Sequence, residues 1–557
     1  MQAGQEGLQI SDVKMLPLVS AYATRIGLVE EIDRLLDCDM EVSPGRVVLA
    51  MILDALSGRR PLFRLQEFFA DKDIELLLGE DIPLSKLGDH TLRRVLTRLF
   101  DAGTNTVLGA IALRAARSFS LDMSHAHHDT TSHSVYGDYL LYEEEEHGEP
   151  FVITQGFSKA HRPDLKQLVQ SLLCVDQGIP IYSKVVDGNS SDKTINQNLI
   201  PEMVKRMREV GSNDFIYVND SALITEESLR IIDEWDDGLL FVSLLPQVYN
   251  ECKNAITQAV QSDAWQEIGT ISEMPTTRNR KPASYKAFET TVMLYGKQYR
   301  VIVVHSDAHD KRRQKKVDKQ IKKDLEETLK LKQELEKIDY ACLPDATAAM
   351  KRVCSGSFHR LSAATQERPH YHRGRPNKNG ERSLKEMRYG LTFELDVDEE
   401  SIRKLRDEAG CFVLITNTPR EGAGAVDARQ LLTIYKDQHM VERNFGFLKD
   451  PVFVNALFLK SPKRIEALGL ILVLALLIWR LMERTMRANL AADKSKITGW
   501  VKRETSRPTS FMMTTKFLGI FVLTEGKVRR LAKPLNSLQL GYLQILDLTP
   551  DIFIRPP

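Results

Sequence analysis

Apolar residues recur at helical spacing through Ala21–Leu36 and Gly45–Leu56, which predicts a helical N-terminal domain over residues 1 to about 117. Asp89 stands where it can cap a further helix, whose outer face shows Arg93, Arg94 and Arg98. A helix with three such arginines after a Gly-Asp turn suits either a recognition helix or a solvated surface helix. From about 118 to 245 the pattern changes to short apolar runs. Phe119–Thr131, Gln167–Val175, Ile179–Val186, Asp214–Asn219 and Leu239–Leu245 read as strands, the second and third joined by the turn at Asp176-Gln-Gly178. Asn196–Val210 and Glu226–Trp235 read as helices between them. Over 246–408 that order breaks. Strand-like Lys286–Leu294 and Tyr299–Val304 lead into a charged helix near Asp310–Ile338, with Val317, Ile321, Leu325 and Leu329 as its apolar stripe. Arg368–Arg388, rich in Gly, Pro and Asn, reads as a loop. Cys411–Thr416 is again a strand, Ala425–Lys449 a long helix stopped by Pro451, and Ile465–Arg484 an apolar helix.

Three strands, helix, strand, helix, strand is the order of an RNase H-like fold. The expected class is therefore α/β: an RNase H-like catalytic core interrupted by a β-rich and helical insertion, behind a helical N-terminal domain. The expected domains are 1–117 (binding DNA ends), 118–245 (core, first part), 246–408 (insertion), 409–485 (core, second part) and 486–557 (a C-terminal region). Basic positions Lys527, Arg529, Arg530 and Lys533 fall in the last of these.

Composition adds limits rather than direction. The 557 residues, 43% hydrophobic, suffice for several cores. The 76 basic and 76 acidic residues cancel, so any phosphate partner must be met by local clusters: 311–323 and 368–388 are the candidates. The six cysteines show no C-x-x-C spacing, which argues against a disulfide framework or zinc knuckle and for a reducing cytoplasm. The N-terminus has no signal-peptide pattern. The greasiest stretch, Ala467–Trp479, is shorter than a membrane span of roughly 20 residues and is expected to be a buried helix, with no membrane partner.

The chemistry-bearing residues sit at the ends of core elements. Asp129 lies near the end of the first strand, in His127-His-Asp-Thr-Thr131, and Asp220 directly follows the strand Asp214–Asn219. Metal-dependent phosphodiester cleavage needs carboxylates that converge from rigid elements, and adjacent strands bring two together. On the helix before Pro451, Gln438, Glu442 and Lys449 fall within roughly 60° of Tyr435 at 100° per residue. That stripe offers a carboxylate to a metal, and a phenol, an amide and an ammonium to phosphate. The bland reading is a solvated face.

The stripe resembles the signature of a large group of bacterial insertion-sequence DDE transposases: Tyr, two residues, Arg, three residues, Glu, six residues, Lys. Tyr435, Glu442 and Lys449 match it, and Gln438 stands where that family carries Arg. Gly156-Phe-Ser-Lys159 with His161-Arg-Pro-Asp-Leu-Lys-Gln167, Gly178-Ile-Pro180, Gly188-Asn-Ser-Ser-Asp192 and Tyr217-Val-Asn-Asp220 resemble further family stretches. Leu56-Ser-Gly-Arg-Arg60 and Phe68-Phe69-Ala70 resemble the N-terminal domain of one subgroup. The resemblance implies that Asp129, Asp220 and Glu442 form the catalytic, metal-binding triad for two Mg²⁺ or Mn²⁺ ions. It implies double-stranded DNA (terminal inverted repeats and target) as substrate, a homodimer in the DNA complex, and the bacterial cytoplasm as location. Tyr435, Gln438, Lys449, His161, Arg162, Arg373 and Arg375 are the expected DNA and phosphate contacts, with Lys166 also near the site.

Some relatives close their ends as hairpins using an aromatic that holds a flipped base. Trp265 suits that role or, more simply, packing in a small β-unit. His125, His127, His128 and His133 surround Asp129, but hard-oxygen chemistry does not require them as ligands. Glu143–Glu146 reads as a solvated acidic loop. The competing readings are a domesticated relative that binds DNA without cutting, another RNase H-like nuclease, and a coiled-coil scaffold.

Overall fold

A computed structural model describes the chain apart from residues 1–7, 59–63, 136–150, 158–161, 210, 236–237, 272–281, 354–355, 377–379, 423 and 451–460. One compact unit comprises residues 1–243 and 431–557, the other residues 244–430.

The first unit opens with β1 (Gln9–Asp12) and seven helices: α1 (Leu16–Arg25), α2 (Leu28–Leu36), α3 (Pro44–Leu56), α4 (Leu65–Phe69), α5 (Ile74–Leu78), α6 (Asp89–Asp101) and α7 (Thr104–Phe119). The helical periodicity of Ala21–Leu36 belongs to two helices rather than one. Gly27, at φ +59°, turns the chain between α1 and α2, and a Cβ there would meet the Arg114 guanidinium at 2.1 Å. Asp89 does not cap α6 through its side chain. It is the helix's first residue, and its carboxylate pairs with Arg93 at 2.7 Å.

A mixed sheet follows: β2 (His125–Val135), β3 (Lys166–Val175), β4 (Ile179–Val186), then α8 (Asp192–Glu209), β5 (Ile216–Asn219), α9 (Glu226–Asp233) and β6 (Leu240–Leu244). Its order is β4-β3-β2-β5-β6. The first two pairings are antiparallel, the last two parallel. The first strand begins at His125 rather than Phe119, because Phe119 closes α7 and Ser120 (φ 47°) ends that helix. The motif glycine Gly188 has a packing reason. A Cβ there would lie 2.0 Å from the Gln167 carbonyl, while the Gln167 side chain donates to the Gly188 carbonyl at 2.7 Å.

The second unit contains α10 (Asn250–Ser262), β7 (Gln266–Thr270), β8 (Ser284–Leu294), β9 (Lys297–Ser306), α11 (Asp307–Glu336), α12 (Leu343–Met350), β10 (His359–Tyr371), β11 (Leu384–Val397), α13 (Glu399–Glu408) and β12 (Cys411–Thr416). Within it β12, β9, β8 and β7 are neighbours in that order, all antiparallel. The stretch Arg368–Arg388, expected as a loop, is strand at both ends: 368–371 closes β10 and 384–388 opens β11, with Pro369 paired to Met387 inside the hairpin. Leu361, Leu391 and Phe393 nearer its base pack with Ala346.

The chain closes with α14 (Ala428–Lys436), α15 (His439–Lys449) and α16 (Pro462–Ala492) before a mixed tail. The single helix expected over Ala425–Lys449 is thus two. The expected stop, Pro451, lies outside the described residues. α16 is longer than expected: its 31 residues are apolar enough to cross a membrane by length and composition. Its apolar side chains from Ile465 to Met486 are instead buried against α3, α6, α7 and β4, as in a core helix. In the tail, Phe521–Glu525 pairs with β1. There Arg529, one of the basic positions of this tail, is half-buried and bonds Asp73 at 2.7 Å and Glu75 at 2.6 Å.

Candidate functional site

β2 and β5 run parallel, with His125 paired to Ile216, Ala126 to Tyr217 and His127 to Val218. That ladder ends there; Asp129, expected near the end of its strand, is the fifth residue of β2 and lies two positions beyond the last pair, as does Asp220, which directly follows β5. Each backbone is held locally. The Asp129 carboxylate accepts the Thr130 N–H at 2.7 Å, and the Asp220 carboxylate accepts the Ala222 N–H at 2.9 Å, starting a short turn at the end of β5. Ser243 on β6 donates its hydroxyl to the Asp220 carbonyl at 2.7 Å.

Behind this pair lies a buried polar network that the sequence pattern did not reveal. The Asn219 amide donates to His128 Nδ1 at 3.0 Å and to Asn196 Oδ1 of α8 at 2.9 Å. Its own oxygen accepts the Asp220 N–H at 2.7 Å. Tyr217 Oη lies 3.0 Å from His128 Nδ1, and Ser171 Oγ of β3 lies 2.7 Å from His128 Nε2. His128, Ser171, Asn196, Tyr217 and Asn219 are all at most 2% exposed. With Nδ1 accepting, Nε2 carries the proton and donates to Ser171. Such a network is stable only when every member is satisfied, so it fixes β2, β3, β5 and α8 to one another. The signal available in sequence was the run of polar residues inside otherwise apolar strands.

On the other face of β2, α14 and α15 approach. Burial pushes the Tyr435 phenol up to about 12, and the charges of Asp220, Glu442 and Asp129 add to that shift. All three expected acids thus act on one half-buried hydroxyl. Glu442 and Lys449 are solvent-exposed. Lys449 bears on His133, whose pKa is held down to about 4, first by burial and then by that ammonium. Gln438 is buried. Its amide donates to the His128 carbonyl at 2.6 Å, and its oxygen lies 3.3 Å from His127 Nδ1. Asn444, one turn beyond Met440, bonds the Gly178 carbonyl at 2.7 Å and so pins α15 to the β3–β4 turn.

The acids supply only hard oxygen donors, a set suited to Mg²⁺ or Mn²⁺, which accept one or two carboxylates and keep water on the remaining positions. Among the described residues, no three histidine, cysteine or carboxylate side chains stand close enough to enclose one ion. The three expected acids, Asp129, Asp220 and Glu442, thus form no closed ligand set, and an ion there would be held by one or two of them and by water. A cavity of about 280 Å³ beside the α14–α15 junction is lined by Asp122, His125, His127, Asp176 and Asp437 among others. Burial lowers the pKa of both histidines there, that of His127 to about 4.

The remaining expected contacts are scattered. Arg162 is exposed and paired with Asp164 at 2.6 Å. His161 and the acidic run Glu143–Glu146 lie outside the described residues. Arg373 and Arg375 are exposed at the tip of the β10–β11 hairpin, in the second unit. Trp265, also in that unit, sets its ring edgewise to Phe288 and His305, with centroids 6.5 and 6.1 Å away.

Comparison with known proteins adds little. Residues 8–113 match a domain of unknown function, DUF4277. No curated protein matches the chain. Among solved structures, the piggyBac transposase synaptic complex with hairpin DNA aligns over 97% of this chain and 85% of that one, at 8% identity and a TM-score of 0.37. A score that low carries no argument about fold or activity, so the reading rests on the chain's own residues.

Proposed function

We propose that this chain is a DDE-type DNA transposase: it binds the terminal inverted repeats of an insertion sequence, cuts them and joins them to target DNA. The observation that carries the reading is the placement of Asp129 inside β2 and of Asp220 directly after β5, on adjacent parallel strands, with α15, which carries Glu442, latched to β2 through Gln438. The order β4-β3-β2-β5-β6, antiparallel then parallel, supports an RNase H-like core around them.

In this reading Asp129 and Asp220 hold the divalent ions, with Glu442 completing the acidic set. When bound, Mg²⁺ or Mn²⁺ supplies Lewis-acid stabilisation of the attacking and leaving oxygens in an in-line displacement. Tyr435 keeps its proton at neutral pH, because three carboxylates and burial oppose ionisation, and so donates a hydrogen bond to a phosphate oxygen. Lys449 adds a positive charge at the end of α15, and Arg373 and Arg375 offer two more to the DNA backbone. Double-stranded DNA is the partner, two copies of the chain act on a pair of ends, and the bacterial cytoplasm is the setting.

The test is cleavage of a labelled terminal-repeat duplex with Mg²⁺ or Mn²⁺, wild type against Glu442→Gln. Cutting by the wild type at the repeat end, with binding but no cutting by the variant, is the expected result. Binding without cutting by both, under every divalent metal, makes the chain a DNA-binding relative that has lost catalysis. Equal cutting by both removes Glu442 from the site.

A further inference from the structure

Gln438 stands where the resembling family carries Arg, and its surroundings suggest a different task. The helix breaks there. Gln438 N–H bonds the Tyr435 carbonyl at 3.2 Å, Met440 N–H the Asp437 carbonyl at 2.9 Å, and Val441 N–H the Gln438 carbonyl at 3.1 Å, all three residues back instead of four. This tightened turn joins α14, which carries Tyr435, to α15, which carries Glu442. The Gln438 side chain points into the protein, 9% exposed. It reaches β2 twice, donating to the His128 carbonyl at 2.6 Å and facing His127 Nδ1 at 3.3 Å. His128 immediately precedes Asp129, and the parallel ladder between β2 and β5 has just ended at His127 and Val218.

An amide suits this spot because it offers one acceptor and two donors on adjacent atoms. The His127 ring is buried, with Nδ1 turned to the Gln438 oxygen. Its Nδ1–H finds an acceptor in the Gln438 oxygen, while the Gln438 N–H₂ serves the strand carbonyl. Arginine has no acceptor for His127, and a guanidinium here would bury a charge with no carboxylate bonded to it.

We infer that Gln438 is a positioning residue: it latches the α14–α15 break onto the strand that carries Asp129, so that Tyr435 and Glu442 are presented to the acid pair together. The inference builds on the transposase reading, but the contact itself is tested apart from it. The experiment uses the purified full chain and the variants Gln438→Ala, Gln438→Glu and Gln438→Arg. Three quantities are read: hydrogen exchange of peptides spanning His127–Thr131 and Thr433–Glu442, affinity for terminal-repeat duplex as a function of salt, and cleavage at saturating DNA across a Mn²⁺ series.

With Gln438 as a latch, Ala and Arg each accelerate exchange in both peptides at least tenfold. Both bind DNA within about threefold of wild type, with unchanged salt slope, and both cut at least tenfold more slowly at saturating DNA. Gln438→Glu, which keeps the acceptor and loses the donor, falls between them and wild type. The inference is overturned if exchange in both peptides is unchanged by Ala. It is equally overturned if Arg binds DNA more tightly, steepens the salt slope by about one and cuts as well as wild type, since the position is then a phosphate contact. If the wild type fails to cut any repeat duplex, the transposase reading falls, while the exchange measurement still decides the latch.

Discussion

Removing the Asn219 side chain tests whether the buried network behind Asp129 and Asp220 is one coupled unit. The amide has two N–H groups and lies near three possible acceptors: His128 Nδ1 at 3.0 Å, Asn196 Oδ1 at 2.9 Å and Tyr217 Oη at 2.9 Å. It can serve two of these at once, and its oxygen takes the Asp220 N–H. In Asn219→Ala, Tyr217 turns its hydroxyl to His128 Nδ1, 3.0 Å away. Two groups then lose their Asn219 partner, Asn196 Oδ1 and the Asp220 N–H. At about 1–3 kcal/mol for each buried group left unsatisfied, the cost is about 4 kcal/mol, a large part of a stability of about 5–15 kcal/mol. Asn196→Ala alone should cost about 1–2 kcal/mol. The double variant should cost about 1–2 kcal/mol less than the sum, because one orphan created by the first change is absent in the second. Urea unfolding of the four proteins measures all three numbers. A cost below about 1 kcal/mol for Asn219→Ala, or strict additivity in the double variant, would refute the reasoning and leave the site to be held by backbone pairing alone.

Three further outcomes are expected. Tyr435→Phe should leave stability within about 1 kcal/mol and slow DNA cleavage by about 10–100-fold, the loss of one hydrogen bond to a charged group; the wild-type pH–rate profile should show no loss from this phenol below about pH 10, because its pKa lies near 12 instead of its ordinary 10. His127 and His133 are held down to about 4 in the folded chain. The unfolded state therefore takes up protons first, and stability, flat above about pH 6.5, should fall as pH drops from there towards 4; thermal melts of wild type and His133→Gln check this, the variant losing less. Arg529→Ala removes the ion pair of the buried Asp73 carboxylate, which keeps the Leu76 N–H and the Thr524 hydroxyl, and should cost about 3 kcal/mol in urea unfolding, whereas a surface role for Arg529 would make it silent.

Element type was legible wherever one face of the chain is buried against a neighbour. The short apolar run of Ile179–Val186 and the apolar stripe of Gly45–Leu56 report burial directly, and both elements stand close to where the pattern placed them. Asp220 stands out in sequence because it directly follows the apolar run of β5, whereas Asp129 sits inside a largely polar strand whose bounds the pattern misplaced. Breaks were harder. A tightened turn at Asp437–Gln438 preserves helical periodicity to within a fraction of a turn, so the hydrophobic pattern runs through it unaltered. Hairpin and loop were confused over Arg368–Arg388 because the outer half of that ribbon is exposed on both faces and carries no alternation.

What only the tertiary structure decided is where polar side chains spend their hydrogen bonds. In sequence Gln438 reads as a phosphate contact, Asn219 as the end of a strand and Arg529 as one more basic position of the tail. In the folded chain Gln438 and Asn219 are buried against β2 and α8 and Arg529 is half-buried against Asp73, with partners 310, 23 and 456 residues away. Hydrophobic burial is a local property, written residue by residue in the chain's own periodicity. A satisfied buried polar group depends on a partner brought by another element, and no local pattern contains that information.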